Sequence, residues 1–139
     1  MELDFNKIRI IKEVREEIAD LRNEHEALCA PIFDCSRIME LFNLFCDETG
    51  YLNRQFDRRA AQLRRMFIFI ALYMFYPGVL AGGQLPHGIR LQFAAILGIK
   101  SVSTFSNDIS TLLFQYQNYP SFKKEVDTIY VTLIDKMNS

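Results

Sequence analysis

Histidine, cysteine and strand-like alternation are all scarce in this chain, and each scarcity removes a class of function. The two histidines, His25 and His87, stand far apart in sequence. With no HExxH, no Cys/His cluster, no paired-carboxylate motif and no GxSxG, the usual constellations for metal-assisted or nucleophilic catalysis are missing. The three cysteines, Cys29, Cys35 and Cys46, are odd in number and form no CxxC pair. That usage fits a reducing cytoplasm better than a disulfide framework. The amino terminus is charged and lacks the apolar segment of a secretory signal. The longest apolar run, Met66 to Tyr76, is too short to span a bilayer and is stopped by Pro77-Gly78. The expectation is a cytoplasmic protein that is not an enzyme, holds no cofactor or metal, and does not enter a membrane.

What is present is helical period. Half of the 139 residues are hydrophobic, enough for one sizeable core. Asp4 to Leu28 carries Ile11, Val14, Ile18, Leu21 and Leu28 on a 3-4 spacing, with His25 in the remaining seam position. Glu, Arg, Lys and Ala fill the rest, so this helix could pair with a copy of itself as a short coiled coil. The alternative is a stripe that packs on its own domain. A second helix is expected over Ser36 to Asp47, with Ile38, Leu41, Phe42 and Phe45 inward and Gly50 closing it. A long third helix is expected from Asn53 to Tyr76, with Phe56, Ala60, Leu63 and Phe67 on one side of its first half. Its second half is apolar almost all round, which marks the centre of the domain.

Residues 77–87 read as a loop, because Pro77, Gly78, Gly82-Gly83 and Pro86 punctuate it. Beyond it, Gly88 to Leu97 reads as a short helix, and Gly98 sits where a left-handed C′ residue would end it. Ser101 or Ser103 can cap the next helix, which runs to Gln117 with Phe105, Ile109, Leu112, Leu113 and Tyr116 inward. A final helix covers Phe122 to Met137. The fold class is therefore all-α, a single bundle of about six helices. Residues 88–117 have the form of a helix-turn-helix: an apolar helix, a glycine turn, a small basic and hydroxyl-bearing patch, then an amphipathic run.

Charge divides the chain. Residues 1–50 hold 12 Asp/Glu and 6 Lys/Arg, and residues 51–139 hold 5 and 10. An acidic amino-terminal region, suited to dimerisation, would thus precede a basic domain in which Arg54, Arg58, Arg59, Arg64 and Arg65 cluster. Such asymmetry is expected where one part meets phosphate, and it equally describes a solvated helix face.

Residues 65–117 resemble the carboxy-terminal DNA-binding domain of the bacterial replication initiator DnaA. The "AMYL" stretch of that domain is similar to Ala71-Leu72-Tyr73-Met74, and its IGxxFG pattern to Phe93-Ala94-Ala95-Ile96-Leu97-Gly98. Its GRDHSTV signature aligns with Ile99-Lys100-Ser101-Val102-Ser103-Thr104-Phe105. Lys100 stands in place of the signature arginine, Ser101 and Val102 replace its Asp and His, and Thr104 keeps its threonine. Lysine reaches phosphate or guanine as a point charge without the bidentate fork. No GxxxxGK[ST] loop is present. The resemblance implies an accessory or regulatory protein that binds double-stranded DNA without the family's ATPase domain, as a phage or mobile element would encode.

The residues themselves give the same candidate site. Lys100, Ser101, Ser103 and Thr104 lie at a helix amino terminus, where free N–H groups favour phosphate; serines there also serve as plain caps. Asn107 is placed to read an adenine edge. Arg64, Arg65 and Arg90 would clamp the backbone and set register rather than sequence. Asp108 is expected on the side of Thr104, where it would repel phosphate. His87 is expected at the surface and Asp47-Glu48 at a solvated helix end. Tyr116, Tyr119, Phe122 and Tyr130 are expected in the core rather than stacked on bases. The rival reading is a helical module that binds a protein partner or oligomerises through Ile11–Leu28 and keeps the helix pair only for packing.

Overall fold

The computed structural model describes residues 2–53 and 57–139, so Arg54 and Phe56 lie outside the described residues. It divides into two units, residues 1–30 and Pro31–Ser139. The described residues form helices joined by turns and short irregular connections, with no strand.

The first unit is one helix, α1 (Phe5–Cys29). Asp4 caps it, its side chain accepting from the Lys7 N–H at 3.2 Å. None of its residues is buried.

The second unit holds α2 (Ile38–Thr49), α3 (Arg58–Phe75), α4 (Pro77–Leu80), α5 (His87–Leu97), α6 (Val102–Asn118) and α7 (Pro120–Met137), with short 3-10 turns at Cys35–Arg37 and Tyr51–Asn53. The all-α bundle is as expected from the helical period, and the described helices number seven. One of them, α4, lies in the expected 77–87 loop, where Pro77 supplies the fixed φ of a first helical residue. Asp57 starts α3 by accepting from the Ala60 N–H at 2.7 Å.

Helix α3 is the centre of the unit. Met66 to Leu72, Met74 and Phe75 are buried, because this half is apolar almost all round, with Tyr73 alone reaching solvent. A ladder of phenylalanines ties the bundle together. Phe67 meets Phe42 and Phe45 of α2 at 5.2 and 5.3 Å between ring centroids and Phe93 of α5 at 6.3 Å. Phe93 in turn stacks on Phe105 of α6 at 5.3 Å. Fully burying each such ring stabilises the fold by about 1.5–3 kcal/mol.

Two expectations need correction. Charge grouped α2 with the amino-terminal region, yet Phe42 and Phe45 are buried against α3. The compact unit therefore begins at Pro31 rather than residue 51. Surface charge does not mark the boundary, since α2 carries its acids outside and its rings inside. On α6, Leu113 is 40% exposed while Leu112 is fully buried; one residue rotates the helix by about 100°, and only Leu112 shares the Phe105 stripe.

Candidate nucleic-acid interface

The corner between α5 and α6 is built by Gly98. Its φ of +69 is left-handed, and the chain folds back so that the Ile99 N–H donates to the Ala94 carbonyl at 2.9 Å. The last carbonyls of α5 are thereby satisfied. Tyr51 adds a bond from its hydroxyl to the Leu97 carbonyl at 3.4 Å, and burial raises the pKa of that phenol.

Helix α6 then begins at Val102, with Ser101 in the N-cap position. The Ser101 hydroxyl makes no capping bond. Ser101 thus stands at the expected cap position without supplying a capping bond, and the first-turn N–H groups have no side-chain acceptor. Lys100, Ser101 and Ser103 are exposed around this end, and Thr104 is half-buried. Asn107, Ser110 and Thr111 are exposed one and two turns on. The Ser110 and Thr111 hydroxyls donate back to the Asn107 and Asp108 carbonyls at 2.8 and 3.0 Å. The first two turns of the outer face of α6 are thus small, polar and uncharged, and Phe114 is exposed beyond them.

Asp108, the only charged residue in α6, does not share that face. It is 5% exposed and points into the bundle. There the Arg64 Nε donates to it at 2.8 Å and the Arg65 Nε at 3.3 Å. The physical reason is that α3 begins Arg-rich without an acid of its own, so its guanidinium groups find their counter-charge across the helix interface. The expected repulsion of phosphate by Asp108 is therefore removed. The same bonds change the role expected of Arg64 and Arg65. They anchor α3 to α6, and Arg64 retains only 13% of its side-chain exposure.

Arg90 is similarly engaged, donating from Nη1 to the Ser106 hydroxyl at 3.0 Å and from Nε to the Leu85 carbonyl at 3.3 Å. Ser106 had no signal in the sequence, because a serine one position from an apolar stripe looks like any solvated serine. Arg59 pairs with Glu125 of α7, and Arg58 is exposed. Of the expected DNA contacts, Lys100, Ser101, Ser103 and Asn107 lie together in the open at the start of α6. The arginines are set behind them.

No other place offers obvious chemistry. Among the described residues no group of three His, Cys, Asp or Glu side chains is placed to hold a metal ion. A cavity of about 220 Å³ is walled by Phe69, Tyr73, Tyr116 and Tyr130. Its one acid, Asp127, already accepts from the Tyr116 hydroxyl at 2.6 Å and the Lys123 ammonium at 2.7 Å, which together lower its pKa. His87 is exposed. Cys46 is buried beside the core, and its thiol is pushed up to about 11, first by that burial and then by the charge of Asp47. Among the described residues no helix is long and apolar enough to cross a membrane. Comparison with protein families, with curated proteins and with solved structures finds no match for this chain.

Proposed function

We propose that this protein binds double-stranded DNA, with α5 and α6 acting as a helix-turn-helix of the kind found in DnaA and α6 as its reading helix. One observation carries the reading: α6 presents an outer face free of carboxylates, its single acid being buried and neutralised by two arginines. That arrangement spares a helix entering a groove lined by phosphates the repulsion of an unpaired carboxylate. Lys100 and the uncapped first turn would take a phosphate, and Ser103 and Asn107 would face base edges. Arg64 and Arg65 would act indirectly, by fixing the tilt of α6 on α3. The role is accessory or regulatory.

A second reading is favoured by a different observation. Arg64, Arg65 and Arg90 all spend their Nε donors on internal acceptors, which thins the basic surface that DNA would meet. In that reading the helix pair serves packing, and the chain acts through a protein partner.

Fluorescence anisotropy with a mixed-sequence duplex over a salt series separates them. DNA binding predicts affinity that falls linearly with salt on logarithmic axes, and a slope smaller by about 1 in Lys100→Ala. Asn107→Ala should weaken binding without altering that slope. Arg64 and Arg65 are left intact, since replacing them uncovers Asp108. Absence of wild-type binding at low salt would leave the partner-binding reading.

A further inference from the structure

Within its unit, α1 has nothing to cover its apolar stripe. Ile11, Val14, Ile18, Leu21 and Leu28 are between 42% and 72% exposed, and His25 is exposed with them. In heptad terms Ile11, Ile18 and His25 occupy a, and Val14, Leu21 and Leu28 occupy d. The flanking positions are charged by side: Arg15 and Arg22 at e, Glu17 and Glu24 at g. We propose that α1 pairs with α1 of a second copy of this chain as a parallel, in-register, two-stranded coiled coil.

The charges select both the occupant and its direction. A parallel pair brings each g residue against the e residue of the next heptad in the other helix. Glu17 then faces Arg22 of the second copy, and the two-fold axis repeats the contact. An antiparallel pair with the same overlap, Ile11 against Leu28, sets e against e and g against g. Arg15 would then face Arg22 and Glu17 would face Glu24, each twice, and every one of those contacts repels. The stripe is thus complementary to itself in one orientation only. β-Branched residues at a with leucine at two of three d positions favour two strands over three or four. His25 fixes the register: in register, two imidazoles meet and one can donate to the other. A slip of one heptad sets one imidazole against Ile18 of the other copy and carries the second past the end of the facing helix, so neither meets its partner. Arg15 lies beside Ile10 of the second copy, whose side chain its aliphatic stem can cover.

The test is the mass of the full chain by light scattering over a concentration series, which reads association independently of DNA. A dimer of twice the 16.2 kDa chain is expected. Leu21→Lys removes two buried leucines per dimer and should raise the dissociation constant on the order of 100-fold. Thermal unfolding of the bundle should stay unchanged. Glu17→Arg discriminates direction: it weakens a parallel pair by placing arginine against Arg22, and it strengthens an antiparallel one by placing arginine against Glu24. Mixing Glu17→Arg chains with Arg22→Glu chains should restore the dimer. A monomer at every concentration, an assembly larger than two chains, or tighter association of Glu17→Arg would each overturn the proposal.

Discussion

Helices α1 and α3 are both long and both rich in apolar residues, yet one has no buried residue and the other is buried through most of its second half. The difference lies in how the apolar residues are distributed around the axis. In α1 they form a narrow seam with charges on either side, a surface wide enough for one other helix. In α3 they surround the second half, so that α2, α5, α6 and α7 can all pack on it. Amount of apolar surface alone would not distinguish a helix that needs an outside partner from one that organises a domain. Angular width does.

Substitutions can break this contrast at graded strengths. The largest effect is expected at the ladder: Phe67→Ala should lower bundle stability by about 3–5 kcal/mol, read by denaturant unfolding, because its cavity opens between α2, α3 and α5. A loss as small as that of Leu21→Ala in α1 would argue that Phe67 is not central. Next comes Asp108→Ala, which strands Arg64 and Arg65 beside the core; a loss of about 3 kcal/mol is expected. Restoration of stability by the further changes Arg64→Met and Arg65→Met would identify the uncompensated charge as the cause.

Gly98→Ala should be milder, about 1–2 kcal/mol. A Cβ there meets nothing within 4 Å, so the whole effect comes from the left-handed backbone. Gly98→Asn should lose less than Gly98→Ala, since asparagine tolerates that conformation. The smallest effect belongs to Asp127. Its folded pKa is lowered, first by Lys123 and then by Tyr116. Its contribution is therefore present above its unfolded pKa and is lost as pH falls through the folded one. Asp127→Asn should slightly lower the melting temperature at pH 7, and the loss should shrink as pH falls through the folded pKa; a loss that does not change with pH would assign the effect to packing.

Local pattern made much of the bundle readable. Gly50 as the end of α2, Gly98 as a left-handed end and the inward face of α2 all follow from residues within a turn or two of one another. The open part of the candidate site was readable for the same reason, since Lys100, Ser101, Ser103 and Asn107 sit on one short stretch. The start of α3 was less legible: a pattern of arginines with Phe56, Ala60 and Leu63 suggests helix from Asn53, whereas the capping carboxylate of Asp57 places the first turn at Arg58.

The seam of α1 and its charged flanks, the all-helical architecture and the turn at Gly98 were determined by the sequence itself, because each rests on spacing or on the backbone freedom of one residue. Only the tertiary structure decided what the arginines of α3 do. Arg64 and Asp108 are 44 residues apart and meet because α3 and α6 pack together. No local period encodes such a pairing. The same packing turns Asp108 inward, drew α2 into the bundle, and left the outer face of α6 uncharged.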